Sequence, residues 1–386
     1  MIFNLQEMVK RSLNPVLQQC MADYPGVLLV GARQSGKTTL AKTLGGAYFD
    51  LEQEADRLRL DLAWDSVCQS DQQVILDEAQ AWPEVFPRLR GAIDADRSRT
   101  GRFLLLGSVA PALMRQVSES LAGRLAILHL DPLTLLESPE TSLDNMWLRG
   151  SFPEPLSHPR RYPRWHQNYL SLLAQRDLPG WGLAAKPKVT ERLFKMLGAV
   201  HGQTLNLSQL GKSLGVSHTA VRTYLDFLTG AFLVRELPIY AANVKKRLVK
   251  SPKVYWVDSG LLHALMGVEN REDLLSRPWV GASWEGFVIQ QILDSLAPEN
   301  PSFDPSFLRT SDGYELDLVF RHKQKLWAVE IKLTSNPSVD EMRRLNKTAD
   351  LIGADQRVLL SRVAQPIENA KTLSCDLPHL LNRLNA

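Results

Sequence analysis

Lys37 and Thr38 close the run Gly31-Ala-Arg-Gln-Ser-Gly36-Lys37-Thr38, which fits the phosphate-binding pattern G-x-x-x-x-G-K-[ST]. Glycines at such positions let backbone N–H groups turn toward anionic oxygens, and the helix that follows presents its positive end to the same oxygens. Gly31, Ala32, Arg33, Gln34, Ser35, Gly36, Lys37, Thr38 and Thr39 are therefore the candidate nucleotide-contacting residues. Lys37 is expected to reach the β- and γ-phosphates of ATP, and the Thr38 hydroxyl to ligate Mg²⁺. Further along, Val74-Ile-Leu-Asp77-Glu78 ends an apolar run in two carboxylates. Asp77 would hold Mg²⁺ directly or through water, and Glu78 would polarise the attacking water. The bland alternative is two carboxylates that merely open a helix. With the upstream loop in place, the pair points to hydrolysis.

Phe103-Leu-Leu-Leu-Gly107-Ser108 reads as another strand ending in a polar residue. In the additional-strand branch of P-loop ATPases such a strand lies between the phosphate-loop strand and the acidic strand. Ser108 would then sit by the γ-phosphate as a sensor, or cap the helix that follows, or do both. Transition-state charge calls for an arginine. Arg124, in Ser-Leu-Ala-Gly-Arg, is the first candidate and Arg176 the second, a surface arginine being the alternative for each.

These residues need elements to hold them. Residues 1–24 show helical spacing of apolar positions. From 27 to 130, short apolar strands (27–30, 47–50, 74–76, 103–106, 126–130) alternate with helical stretches, which predicts a parallel sheet covered on both faces. The expected fold class is α/β: a P-loop parallel sheet of the additional-strand type over 1–131, a helical connector over 132–189, a winged helix over 190–257 and a nuclease-like α/β domain over 258–386. A length of 386 residues agrees with several domains, and 44% hydrophobic with 23% charged residues excludes a disordered or fibrous chain. Three scattered cysteines predict a reducing compartment. No apolar run spans a bilayer and Met1–Lys10 lacks a signal core, so a cytoplasmic location without membrane contact is expected. The net charge is only +3, yet residues 186–253 carry twelve Lys/Arg against three Asp/Glu. That local excess suits an anionic partner.

Within that basic stretch, Leu207 to Leu228 reads as helix, turn, helix. Leu210, Leu214, Val221, Leu225 and Leu228 form its core, Gly215 makes the turn and Ser217 caps the second helix. Wing strands are expected at 232–237 and 254–257. If the unit binds DNA, His218, Thr219, Arg222 and Thr223 face the major groove, and the wing cations Lys245, Lys246, Arg247, Lys250 and Lys253 meet phosphates. A lid or protein-contact role is the other reading.

Farther on, Gly313-Tyr-Glu315-Leu-Asp317-Leu-Val-Phe and Trp327-Ala-Val-Glu330-Ile-Lys332 read as a hairpin with acidic residues on matching sides of the pleat. The set resembles the PD-(D/E)xK nuclease core, although Leu316 stands where its proline would be. The resemblance implies a metal site of Asp317 and Glu330, joined by Glu285 from the helix before, with Lys332 beside the attacking water. Active cleavage, an inactive binding module on the same fold and an exposed charged strand face are the three readings.

Taken together, Gly-Ala-Arg-Gln-Ser-Gly-Lys-Thr-Thr-Leu (31–40), Leu-Asp-Glu-Ala-Gln (76–80) and Gly-Ser…Ser-Leu-Ala-Gly-Arg (107–124) resemble the prokaryotic AAA-type P-loop ATPases that carry a C-terminal domain of unknown function. The segments 152–156, 253–261 and 284–288 extend the likeness over most of the chain. One departure is Leu-Arg-Gly-Ser-Phe-Pro, which stands near position 150 where that family has a double glycine. The expected activity is Mg²⁺-dependent ATP hydrolysis coupled to DNA binding or processing. The rival is an ATP-driven switch acting through self-association or a protein partner.

Overall fold

The structure, a computed structural model, describes residues 9–107, 117, 119–240, 251–300 and 303–386. Ser108, Lys245, Lys246, Arg247 and Lys250 lie outside the described residues. Helix α1 runs only over Asn14–Asp23, shorter than the periodicity predicts. Pro15 lies in its first turn, where a missing N–H costs nothing, and Leu17 and Met21 form its buried face.

The first sheet joins β1 (Gly26–Val30), β2 (Ala47–Asp50), β3 (Val74–Asp77), β4 (Phe103–Gly107) and β5 (Leu125–His129) in the order β2-β3-β4-β1-β5. Every neighbouring pair is parallel. The strand ending at Gly107 does lie between the phosphate-loop strand and the acidic strand. Alternate residues of β1 enter different cores: Leu28 and Val30 pack with Phe86 and Leu105, Val27 and Leu29 with Leu17 and Leu106. Burial on both faces explains why β1, β3 and β4 read as unbroken apolar runs.

The connector contains α2 (Leu143–Arg149) and α3 (Arg164–Leu172), the latter continuing as a wide turn over Leu173–Asp177. The departure near position 150 is accommodated by one glycine. Gly150 has φ +80°, and a Cβ there would meet Asp258 Oδ1 at 2.1 Å, while the Ser151 N–H donates to Asp258 Oδ2 at 2.6 Å. Next come α4 (Pro187–Ala199), β6 (Gln203–Thr204), α5 (Leu207–Leu214), α6 (His218–Gly230), β7 (Val234–Leu237) and β8 (Lys253–Trp256). The three strands form an antiparallel sheet in the order β6-β8-β7. Gly215 takes φ +74° between the paired helices, and the Ser217 side chain accepts from Ala220 N–H at 3.1 Å.

The last part is built on α7 (Val280–Leu296), buried along nearly its whole length from Ser283 onward. Six strands follow: β9 (Ser306–Arg309), β10 (Glu315–His322), β11 (Lys325–Ile331), β12 (Gln356–Leu360), β13 (Ile367–Glu368) and β14 (Thr372–Cys375). Their order is β13-β14-β12-β11-β10-β9. Lys323 and Gln324, both at positive φ, make the two-residue turn of the β10–β11 hairpin. The connector helix α2 packs into this C-terminal core through Met146, Trp147 and Leu148. Leu237 and Tyr255, which precede the expected boundary at 257, pack in the same cluster.

Candidate functional site

At the end of β1 the chain turns into the phosphate loop. Gly31 passes so close to Leu130 that a Cβ would lie 2.3 Å from its carbonyl oxygen, and Gly36 holds φ +100°. No larger residue serves at either position. The Lys37 ammonium is buried and donates to the Gly31 and Ala32 carbonyls at 3.0 and 2.8 Å. Burial pushes its pKa down to about 8, against the pull of Glu78 and Asp77. Thr38 Oγ1 donates to Asp77 Oδ2 at 2.7 Å, so the two groups expected to share a magnesium ion meet at one point. Hydroxyl and carboxylate oxygens are the donors Mg²⁺ takes, and the fit is good. Tyr48 Oη donates to the same carboxylate oxygen at 2.7 Å.

Glu78 takes the left-handed backbone conformation, φ 49° and ψ 47°, directly after β3. Such a conformation is strained for a residue with a side chain. Its N–H donates to Asp77 Oδ1 at 2.9 Å and its carboxylate accepts from Gln80 Nε2. Glu78 lines a cavity of about 510 Å³ together with Lys37, Thr38, Arg33, Tyr169 and Arg176.

Half of that cavity wall comes from the connector. Arg33 Nη1 lies 2.6 Å from Asp177 Oδ1, and Tyr169 Oη donates to the Arg33 carbonyl at 3.2 Å. Arg176 Nε donates to the same Asp177 oxygen at 2.9 Å, its side chain mostly exposed. The second arginine candidate is thus at the site. The first is not: Arg124 precedes β5, whose Leu125 pairs with Gly26, the end of β1 remote from the loop. Arg124 grips Asp94 through Nε and Nη2 at 2.9 and 2.8 Å. Behind the loop, buried Arg11 donates to the Ser35 carbonyl at 3.0 Å and to the Asp131 carbonyl at 2.6 Å, and pairs with Glu137 at 3.1 Å. Arg11, Tyr48 and Asp177 carry no motif, and only their contacts reveal them.

In the helix–turn–helix, His218, Thr219 and Thr223 are exposed as expected. Arg222 is partly buried and paired with Asp226 and Glu236, which raises its pKa, so it does not project freely. Lys253 is corrected outright. It is 3% exposed, and it faces the C-terminal domain instead of a wing surface.

There its ammonium stands 2.9 Å from Glu285 Oε1, 2.9 Å from Glu315 Oε1 and 3.6 Å from Asp317 Oδ1. Lys332 Nζ donates to Glu330 Oε1 at 2.6 Å, and Asp317 Oδ2 accepts from Ile331 N–H at 2.8 Å. The β9–β10 register shifts between Leu316 and Val319, so strict alternation does not set the aim of Asp317. Burial, then Asp317, pushes Glu285 up to about 7 and Glu330 up to about 8. Glu285, Glu315 and Asp317 thus gather around Lys253, while Glu330 is held by Lys332, which is not the expected metal site of Glu285, Asp317 and Glu330. Among the described residues, no three acidic, histidine or cysteine side chains are spaced to grip one metal ion.

Residues 23–138 match the AAA domain family, 140–272 a domain of unknown function (DUF8612) and 280–378 a domain of unknown function (DUF4143). The uncharacterized protein Rv2008c of Mycobacterium tuberculosis is 38% identical over 334 residues, covering 85% of this chain and 75% of that protein. The uncharacterized protein Mb2031c of Mycobacterium bovis matches with the same identity and coverage. Among solved structures, the Walker-type ATPase of Pyrococcus abyssi aligns over 69% of this chain and 100% of its own, at 15% identity and TM-score 0.48. AMPPCP-bound DnaA from Aquifex aeolicus aligns over 55% of this chain and 86% of its own, at 12% identity and TM-score 0.28. Among the described residues, no helix is long and apolar enough to cross a membrane.

Proposed function

Because this chain belongs to the AAA-type P-loop ATPases that carry a C-terminal domain of unknown function, we propose that it hydrolyses ATP in the cytoplasm and uses the cycle to control a DNA-binding winged helix. Lys37 and the loop amides hold the β- and γ-phosphates, with Ser108 as their sensor. Thr38 and Asp77 hold Mg²⁺, which when bound neutralises charge on the phosphate oxygens. Glu78 takes the attacking water, supported by its place on the cavity wall beside Lys37. Arg176, on the same wall, meets the charge that develops in the transition state.

The observation that carries the coupling is the shared packing of loop and helices. Ala32 of the phosphate loop lies in one hydrophobic cluster with Leu173 and Leu178 of the connector and Leu210, Val221 and Leu225 of the helix–turn–helix. A change at the γ-phosphate therefore has a packed route to the paired helices. DNA as the output rests on the basic excess of this unit, and the α6 surface of His218, Thr219 and Thr223 is exposed beside it. Binding to phosphates with little base preference follows, because Arg222 is held by Glu236. That pairing also favours the second reading, a switch whose helices contact a protein.

Changing Lys245, Lys246 and Arg247 to alanine tests the output. Affinity for unrelated DNA sequences is expected to fall about equally, with a shallower salt dependence, since fewer phosphate contacts release fewer counterions. Unchanged affinity at low salt would move the unit to the protein-contact reading.

A further inference from the structure

Lys253 belongs to one unit by its backbone and to another by its charge. Its strand, β8, pairs with β6 and β7 beside the helix–turn–helix, with Lys253 opposite Thr204 and Leu237. Its side chain crosses into the acidic cluster of the C-terminal sheet. The three hydrogens of an ammonium point three ways, and three carboxylates, Glu285, Glu315 and Asp317, stand around this one. The Phe307 ring, 5.4 Å from Nζ, lies on the same side chain. Two residues along β8, Tyr255 Oη donates to the same Glu285 oxygen at 2.6 Å. The strand thus reaches the cluster twice. Backbone bonds fasten the neighbouring edge: Phe307 N–H donates to the Pro238 carbonyl at 2.9 Å and Tyr240 N–H to the Phe307 carbonyl at 2.7 Å.

We propose that the Lys253 ammonium is the resident cation of this cluster, standing where a divalent metal would lie between Glu285 and Asp317, so that it locks the helix–turn–helix unit to the C-terminal domain and keeps that domain free of metal. Buried carboxylates need a counter-charge, and here a fixed side chain supplies it. A metal could enter only by expelling the ammonium. Lys253 would then lie buried and unpaired, or β8 would have to leave its sheet. The carboxylates serve as a socket for β8, and strand cleavage at this site is switched off as long as the lysine stays. The inference stands on the contacts of Lys253 and does not depend on what the winged helix binds.

The test is Mn²⁺ binding to the full-length, nucleotide-free protein, read as free Mn²⁺ by electron paramagnetic resonance. The phosphate-loop site contributes equally to every variant, so ions held by the cluster are those lost on Asp317→Asn. Wild type and Asp317→Asn are expected to bind equal amounts. Lys253→Met, which keeps the aliphatic stem and removes the charge, is expected to bind one further ion per chain, lost again in Lys253→Met/Asp317→Asn. A wild-type ion lost on Asp317→Asn overturns the proposal, as does a folded Lys253→Met protein that gains none. If circular dichroism shows Lys253→Met unfolded, the wild type and Asp317→Asn pair decides alone.

Discussion

The Arg33 guanidinium, within the phosphate loop, lies 2.6 Å from the Asp177 carboxylate of the connector, and Asp177 is nearly buried. The phosphate loop is thus tied directly to the element carrying Arg176. The pair adds a charged tie to the Tyr169–Arg33 hydrogen bond and the packing of Ala32 against Leu173 and Leu178.

A double-mutant cycle measures that tie. Arg33→Ala and Asp177→Ala are each expected to weaken ATP binding, and their coupling energy to be about 0.5–3 kcal/mol, the range for residues in contact. Additive effects would show that the connector reaches the loop by packing alone.

The two arginine candidates separate by place. Arg176→Ala is expected to lower kcat by about 10³ with a smaller change in KM, as for loss of a transition-state cation. Arg124→Ala leaves kcat near wild type, since Arg124 is engaged by Asp94 at the far end of the sheet. A loss in Arg124→Ala that is restored by mixing with Lys37→Ala protein would instead place Arg124 on a neighbouring subunit's nucleotide.

Buried imidazoles contribute a pH dependence to stability. Burial holds His201 down at about 3 and His263 at about 4, against 6.5 when unfolded. His263 is fixed by the Leu148 carbonyl at 2.9 Å and the Ser283 hydroxyl at 2.6 Å. Below pH 6.5 the unfolded chain binds protons these rings refuse, so their stabilisation, full above that pH, is lost progressively toward pH 4. Each ring costs up to about 2 kcal/mol between pH 6.5 and 5. Asp258, pushed up to about 6 by burial, opposes this: the native state gains a proton near pH 6 that the unfolded chain takes up only near 4. His166 is held down at about 3 in the same way, while Glu285 and Glu330, pushed up to about 7 and about 8, act in the same direction as Asp258. The contribution of one ring is therefore read as a difference: between pH 7 and pH 5 the urea midpoint of His263→Gln is expected to fall less, or rise more, than that of wild type. The same pH dependence in both proteins contradicts this.

How much of this was legible depends on which interactions are local. The inner strands β1, β3 and β4 announced themselves because both faces are buried, and the phosphate loop because its glycines have no substitutes. The β10–β11 hairpin was readable from its charge pattern. β9 and β12, each only four or five residues long, carry no alternation to distinguish them from loop. Lys253 looked like one more wing cation, because nothing in residues 245–253 says that one lysine turns inward. Its partners lie 32 and more positions away, and only the fold brings them near. Arg11 escaped for the same reason. Ser151 and Asp258 show the converse, since a motif at each was visible while the hydrogen bond joining them was not.

ATP hydrolysis at Lys37, Asp77 and Glu78 is expected to be tied to DNA engagement. The measurement that tests it most directly is the steady-state rate of phosphate release with and without double-stranded DNA. DNA is expected to change the wild-type rate several-fold. Lys37→Ala is expected to lose tight ATP binding, and Glu78→Gln to keep binding while hydrolysing about 10² more slowly with or without DNA. A wild-type rate indifferent to DNA would contradict the coupling, and a Glu78→Gln protein as fast as wild type would contradict the assignment of the base.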